Sequence, residues 1–462
     1  MRRAVLAAFL CSLLLTLIAC SGLSSSKSSN SQNGPIGTPS PLPPAASFFS
    51  LNINKLSDPW PTNLGVTFGV WRTLGSSILW SDLEPCQPAD ETNANDPCYL
   101  WNVNSRLDTY VNEAIGNGQD VLYTAYYTPA WASQDPTGAC NALGTGGCFP
   151  PVDVQSGDNH WKNFLKALFT HVTQMPVVNG RHPYIKYWEC WNEPDIPSEY
   201  TGSMSDLNTL CQDLRDTIHA LDPNAKFTTP APTTAIGNLQ YGVTWMSKWL
   251  REPAAGVEDY IAFHGYCFLG QGAPCEAEVI PASVIQPLQQ MIANAGVSKP
   301  LWDTEVGLGP NPNPDNLAAF VARMLLLHQS VNVSAVSFYG WDFGDGISLI
   351  NNVGTQTATL DPGGLAYQQI YNWTVGAGAK YTSACQNTSG TIWQCPLSAG
   401  NANYLIVWDT SQTLSPCPNS ACGTTGFPVP SGYTQFDDLL GHTNQAISGS
   451  TVQVGMKPIR LH

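Results

Sequence analysis

Two short stretches of the chain have the residue types to do chemistry together. The first is Tyr187-Trp188-Glu189-Cys190-Trp191-Asn192-Glu193-Pro194, an apolar, aromatic run that stops at Asn-Glu-Pro. Pro194 lacks an N–H and keeps the residue before it out of the helical region, so Glu193 is expected at the end of a strand. The second is Lys299-Pro300-Leu301-Trp302-Asp303-Thr304-Glu305-Val306-Gly307, which puts Glu305 in the same setting. One carboxyl that gives a proton and one that attacks carbon, held at two strand ends, are the minimum for cleaving a glycosidic bond.

Such a pair needs a rigid frame. Eight strand-like runs alternate with helical patterns, at 48–54, 70–75, 120–129, 184–194, 226–232, 259–268, 299–308 and 335–344. Trp161, Phe164, Leu165, Leu168, Phe169 and Val172 recur at helical spacing, as do Leu207, Leu210, Leu214, Ile218 and Leu221. Asp315 is a candidate cap for a helix through Phe320 and Met324, and Asp361-Pro362-Gly363 leads into another over 366–373. Strands alternating with helices imply a parallel sheet, and eight units over this length imply a (β/α)8 TIM barrel spanning 47–374. An open, doubly wound sheet is the alternative. From 375 to 462 Gly, Ser, Thr, Asn and Cys dominate, broken by short alternating runs, which predicts a small C-terminal β-sandwich domain. Its role is structural or carbohydrate-binding.

Composition bounds the partners. Only 11% of residues are charged while 10% are aromatic, so some rings must lie outside the core, where they suit sugar faces. The net charge of −15 speaks against nucleic acid and other polyanions. Of the 14 Cys, Cys11 and Cys20 lie in the leader, and the other 12 fall into sequence-local pairs. These are Cys86 with Cys98, Cys140 with Cys148, Cys190 with Cys211, Cys267 with Cys275, Cys385 with Cys395 and Cys417 with Cys422. Paired cysteines point to an oxidising, exported location. The spacings lack the companion histidines of a zinc site, so no metal is expected. One pair also tests the strand reading. If Glu193 points into the barrel, alternation turns Cys190 outward, where Cys211 waits on the apolar face of the next helix. The pairs Cys86–Cys98, Cys140–Cys148 and Cys267–Cys275 would staple loops of the catalytic face.

The chain opens with Met1-Arg2-Arg3 and an apolar run over 4–19, the pattern of an export signal and too short for a membrane span. Leu17-Ile18-Ala19-Cys20-Ser21 resembles the lipobox of bacterial lipoproteins, in which the Cys becomes the lipidated first residue. An ordinary signal containing a Cys is the alternative. Residues 21–46 are rich in Ser, Asn, Gly and Pro, cannot bury a core, and read as a disordered tether. The protein is therefore expected on the bacterial cell envelope, at the outer membrane or cell surface, or released from it.

The segments Trp191-Asn192-Glu193-Pro194 and Trp302-Asp303-Thr304-Glu305-Val306-Gly307 resemble the acid/base and nucleophile motifs of clan A glycoside hydrolases, near families 39 and 5. In that clan the two glutamates end the fourth and seventh barrel strands, where the strand count above puts Glu193 and Glu305. Tyr127-Thr128-Pro129-Ala130-Trp131-Ala132-Ser133 looks like family 39, and Pro458-Ile459-Arg460-Leu461 resembles the end of its β-sandwich. The resemblance implies a retaining enzyme acting on β-xylosides or β-glucans, without cofactor, and a monomer. It implies that Glu193 is the acid/base and Glu305 the nucleophile. Asn192 would bond the sugar 2-hydroxyl, and Arg72 would hold the nucleophile as a carboxylate. His264 and Tyr266, in His264-Gly265-Tyr266, would match the clan's His-x-Tyr, with Tyr266 on the nucleophile. Trp341 would floor the subsite of the scissile sugar, and Trp131 would be a wall. Each has a plainer alternative: a turn Asn, a structural pair between Arg72 and Glu189, a structural His, a core Trp. Trp191 and Trp302 would supply apolar surroundings to the glutamates. A carbohydrate-binding lipoprotein without turnover, and a transglycosidase using the same glutamates, are the rival functions.

Replacing Cys20 by Ser should block lipid processing or release soluble protein. Membrane fractionation of the two forms checks this, and an unchanged distribution would count against the lipobox.

Overall fold

The structure, a computed structural model, describes residues 43–102, 106–140, 145–234, 239–266, 268–269, 273–274, 276–308, 313–344, 347–411 and 423–462. The leader with Cys20, the tether up to residue 42, and Cys267, Cys275, Cys417 and Cys422 lie outside the described residues.

Eight short strands form one sheet: β1 (Phe49–Asn52), β2 (Val70–Arg72), β3 (Asp120–Ala125), β4 (Tyr187–Cys190), β5 (Lys226–Thr228), β6 (Ile261–His264), β7 (Leu301–Val306) and β8 (Val333–Phe338). Their order is β5-β4-β3-β2-β1-β8-β7-β6, and every pairing is parallel. A parallel bridge from Thr228 to Tyr260 joins the two ends, so the sheet curls into a barrel rather than lying open. Nearly every strand residue is buried, because strands in such a sheet are covered on both faces. The strands are shorter than the apolar runs suggested. The polar residues at each run's C-terminal end belong to the loops that follow.

Helices α1 (Arg106–Gly116), α2 (Asn159–Gln174), α3 (Met204–Leu221), α4 (Leu239–Trp249), α5 (Gln286–Asn294), α6 (Pro314–Ser330) and α7 (Pro362–Tyr371) surround the barrel. The apolar spacing in α2 and α3 buries Trp161, Phe164, Leu168, Leu207, Leu210 and Leu214 against the strands. Ser203 and Asp206 close a capping box at the start of α3. The cap of α6 is Asn313, which accepts the Asp315 N–H. Asp315, the expected cap, sits in the first turn and pairs with Lys457 at 2.8 Å. From Asn316 onward α6 is buried on every side, because the C-terminal sheet covers the face that a barrel helix normally turns to water.

That sheet is antiparallel. Its longest strands, β9 (Ile392–Ala399) and β10 (Ala402–Asp409), form a hairpin, and the final strand, β11 (Ile459–Leu461), inserts between β10 and the segment Gln435–Asp437. One face meets the barrel helices. Trp408 Nε1 donates to Glu278 (2.6 Å) and Tyr381 Oη donates to Gln329 on α6 (2.8 Å). The other face packs Leu405, Val407 and Leu461 on Phe427, Val452 and Val454 of a two-stranded sheet. Two sheets sharing an apolar layer make a small sandwich.

Four disulfides join cysteines in the expected local pairs: Cys86 with Cys98, Cys140 with Cys148, Cys190 with Cys211 and Cys385 with Cys395. All four are structural cross-links rather than parts of the site. Cys86 and Cys98 close the loop after β2, and Cys140 and Cys148 the loop after β3. Cys385 is tied to Cys395 on β9, inside the C-terminal sheet and away from the barrel strand ends. Cys190, the last residue of β4, reaches Cys211 on α3 with a Cα separation of 5.5 Å. Opening this bridge with Cys190→Ala and Cys211→Ala should cost about 3 kcal/mol, since the cross-link spans 21 residues. Urea unfolding of the double variant measures the loss. Peptide mapping of the unreduced protein should recover the link between Cys190 and Cys211.

Candidate active site

Parallel barrels carry their chemistry at the C-terminal ends of the strands. Arg72 is the last residue of β2, His264 the last of β6, Glu305 lies near the end of β7, and Asn192 and Glu193 follow β4. Glu193 is turned to its place by a backbone departure from strand geometry. Trp191 has φ 65° and Glu193 φ 41°, in the left-handed region that L-residues avoid. Such conformations cost on the order of 1 kcal/mol or more each and cluster at functional sites. The segment is held by Trp191 N–H on the Ala125 carbonyl and Glu193 N–H on Ala231, both 3.0 Å. Strict alternation therefore ends at Cys190, even though Cys190 does face the helices.

Arg72 joins the parts. Its guanidinium is fully buried and donates to Glu189 Oε2 through Nε (2.8 Å) and Nη2 (2.6 Å), and to Glu305 Oε2 through Nη1 (2.7 Å). Nη2 also faces Asn192 Oδ1 at 3.0 Å and His264 Nε2 at 3.3 Å. Arg72 thus pairs with Glu189 and also bonds Glu305. Burial works against its charge, and the two glutamates override burial, so its pKa is held above the ordinary value.

The arginine also fixes its neighbours' orientations. A guanidinium only donates, so His264 Nε2 and Asn192 Oδ1 must accept. Burial keeps His264 below its ordinary pKa, and the neutral ring then carries its proton on Nδ1. Nδ1 lies 2.8 Å from Glu193 Oε1 and donates to it. The Asn192 amide nitrogen is left to donate elsewhere. Tyr266 Oη donates to Glu305 Oε1 at 2.8 Å.

The two glutamates differ sharply in surroundings. Glu305 has a guanidinium on one oxygen and a phenol on the other. Glu193 has its pKa pushed up to about 8, first by burial, then by the neighbouring charge of Asp195, with Arg72 opposing. One oxygen of each glutamate and His264 Nδ1 all lie within 4.8 Å of one another. That spacing would suit a metal's ligands, but the Arg72 guanidinium sets a fixed positive charge against the same triangle.

A β-bulge places Glu305. His264 pairs with Glu305 and Phe263 with Asp303, leaving Thr304 as the extra residue. The bulge lets Asp303 and Glu305 face different ways. Asp303 turns to the helices, where it meets His328 of α6 (3.0 Å) and accepts the Gly265 N–H (2.9 Å). A Cβ on Gly265 would lie 2.1 Å from the Asp303 carboxylate, so only glycine fits between His264 and Tyr266.

Two aromatic expectations are corrected, those for Trp341 and Trp302. Trp341 is fully buried, with its indole N–H on the Pro59 carbonyl (3.0 Å), so it offers no face to a sugar. The ring that β8 presents near the glutamates is Tyr339, two residues earlier. It is half-buried, and burial and then the Glu305 charge hold its hydroxyl above the ordinary range. Trp302 lies at the opposite end of the barrel, packed on Tyr187 (4.8 Å) and Tyr260 (4.3 Å), because it opens β7 rather than closing it. Trp191 is buried between Tyr200 and Tyr126. Trp131 is partly exposed; its N–H donates to the Glu84 carbonyl (2.9 Å) and its ring meets His160, which ties the loops after β2 and β3 together. Sequence reasoning passed over Tyr339, Asp195 and the Asp303–His328 pair. Asp195 had a visible signal, since it follows directly on Asn-Glu-Pro.

A parallel barrel with two unlike glutamates at its strand ends, one raised in pKa by burial and one bonded to a guanidinium, is an arrangement suited to a glycoside hydrolase. Residues 132–374 match the family described as glycosyl hydrolase catalytic core, and the chain belongs to that family. No curated protein matches the chain. Among solved structures, a monomeric β-xylosidase from Caulobacter crescentus CB15 is similar in fold at 14% identity and TM-score 0.58, covering 91% of this chain and 97% of that one. A family 39 enzyme from Xanthomonas axonopodis pv. citri is similar at 15% identity and TM-score 0.56, covering 91% and 95%. A family 44 xyloglucanase from Paenibacillus polymyxa is similar at 13% identity and TM-score 0.56, covering 91% and 96%.

The Glu193 carboxyl should titrate near pH 8 instead of near 4.5. Carbon-13 NMR of glutamate-labelled protein measures this, with the signal assigned by its loss in Glu193→Gln.

Proposed function

We propose that the chain is a retaining β-glycosidase in which Glu193 is the acid/base and Glu305 the nucleophile. The observation that carries this reading is the unequal treatment of the two glutamates. Glu305 receives Arg72 and Tyr266, which favour a carboxylate ready to attack the anomeric carbon. Glu193 keeps its proton up to about pH 8 and can give it to the leaving oxygen. His264 occupies Oε1 of Glu193, which leaves Oε2 to carry that proton. The glycosyl–Glu305 ester then forms as the glycosidic bond breaks. Glu193, now a carboxylate, takes a proton from water as the water oxygen bonds to the anomeric carbon from the side the leaving group vacated, and the ester bond breaks to return Glu305 as a carboxylate. The free amide of Asn192 suits a hydrogen bond to the sugar 2-hydroxyl. Tyr339 would lie against the sugar.

The close approach of the carboxylates supports retention, which needs about 5–5.5 Å between carboxyl groups against about 6.5–9.5 Å for inversion. A β-linked xylo- or gluco-configured oligosaccharide or polysaccharide, of plant or microbial origin, is the substrate class that the xylosidase and xyloglucanase neighbours favour. The disulfides fit an exported protein, and Cys20 would tether it to the envelope as a lipoprotein. Among the described residues no helix is long and apolar enough to cross a membrane. A purely sugar-binding role would leave the costly burial of Arg72, Glu189, Glu193 and Glu305 without purpose.

Wild-type enzyme should release product with the anomeric configuration of its substrate, as read by proton NMR. Glu305→Ala should lose turnover of every glycoside, and azide should restore it with an inverted glycosyl azide. Glu193→Ala should lose about 10²–10⁴-fold on poor leaving groups and far less on activated aryl glycosides. Azide should then give the retained product. The opposite azide stereochemistry would mean that the two roles are exchanged.

A further inference from the structure

Asp195 lies two residues beyond Glu193, and its carboxylate is clamped. Oδ1 accepts the Thr233 N–H at 2.9 Å and Oδ2 the Thr233 hydroxyl at 2.6 Å. Thr233 follows β5 and itself bridges to His264 at the end of β6. The clamp therefore hangs on the backbone of the residue whose ring bonds Glu193. Burial pushes the Asp195 carboxyl up from its ordinary pKa, and the Thr233 bonds, which use both of its oxygens as acceptors, work the other way and favour the ionised form. Helix caps and turn aspartates usually face solvent, but this one is partly buried and makes no described ion pair with Lys or Arg.

We propose that Asp195 is a positioning residue for the reaction, acting electrostatically: its clamped negative charge keeps the proton on Glu193 until the leaving oxygen takes it. The proposal rests on the assignment of Glu193 as the acid. The charged and titratable groups facing Glu193 come from every side of the site. Arg72 on β2 opposes retention of the proton. Glu189 on β4 favours it, and so does Asp195, whose influence is the largest of any charge there. His264 on β6 is neutral and donates to Oε1. Glu305 on β7 is engaged with Arg72 and Tyr266, and Tyr339 after β8 is an uncharged phenol. Glu189 is itself held by Arg72, with two guanidinium bonds on Oε2. Asp195 makes no ion pair with Lys or Arg among the described residues; its oxygens are met by the neutral donors of Thr233. Turnover also benefits. Once Glu193 has given up its proton, the same charge makes it a stronger base towards water.

The test is the pH dependence of kcat/KM for an aryl glycoside with a poor leaving group, which reports the free enzyme's acid. Asp195→Asn is nearly isosteric. Its amide oxygen can still accept the Thr233 N–H, and the Thr233 hydroxyl can reverse to accept from the amide. Asp195→Ser is a second neutral replacement should the amide fit poorly. In both, the alkaline limb should move down by on the order of one pH unit while the acid limb stays in place. Substrates with activated leaving groups should show a smaller loss in the first step. An alkaline limb that stays put in both variants, with rates merely lowered at every pH, would overturn the proposal and leave Asp195 a structural clamp. A wild-type enzyme with no alkaline limb would instead sink the acid role of Glu193, and the proposal with it.

Discussion

The site depends on one buried cation. Arg72 has no solvent, so its charge must be met inside the barrel, and Glu189 and Glu305 meet it from two different strands. A buried ion pair is unfavourable to form and more unfavourable to break, because removing one partner strands the other in a low dielectric. The arrangement here exceeds a pair. Thr124 donates to the Glu189 oxygen that Arg72 also holds, and Asn192 and His264 complete the guanidinium's surroundings. Residues from β2, β3, β4, β6 and β7 thus share one hydrogen-bonded cluster at the barrel's catalytic end.

From that cluster the unequal surroundings of Glu193 and Glu305 follow. The guanidinium can touch one glutamate and not the other, and it touches Glu305. Its donor-only chemistry then forces the acceptor nitrogen of His264 inward and the donor nitrogen towards Glu193. The same constraint turns the amide of Asn192 outward. A single charge placed by β2 thus orients Glu305, Asn192 and His264, and through His264 it reaches Glu193.

Around this centre the fold applies covalent and packing constraints that hold the site rigid. The Cys190–Cys211 disulfide pins the end of β4 to the helix that follows, three residues before Glu193. The Cys86–Cys98 and Cys140–Cys148 bridges stiffen loops on the same face. The C-terminal sheet, itself cross-linked by Cys385–Cys395, buries α6 completely. In turn α6 supplies His328 to Asp303, whose other oxygen holds the Gly265 backbone between His264 and Tyr266. A 1 Å error at such a site costs catalysis heavily, so a domain far from the glutamates still contributes to where they stand.

Much of this was legible in the sequence because it is local. Strand-helix alternation sets a parallel barrel, and Pro194, by its own covalent structure, marks the chain's exit from the region of β4 close to Glu193. Cysteines a few residues apart, such as Cys140 and Cys148, find each other, and the count of strands puts Glu193 and Glu305 on β4 and β7. The rest depends on contacts between segments far apart in the chain, which no local pattern records. The bulge at Thr304 is set by pairing with β6 and β8, and it sends Asp303 and Glu305 to different surroundings where alternation alone would put them together. The left-handed turns at Trp191 and Glu193 are stabilised by carbonyls of Ala125 and Ala231. Trp341 is buried and Tyr339 presented because the chain after β8 folds back on Asn52 and Pro59. Sequence determined which residues could carry charge and which strand each would follow or end; only the closed barrel decided which charges meet, because Coulomb energy in a buried site depends on distance, and distance there is a property of the whole fold.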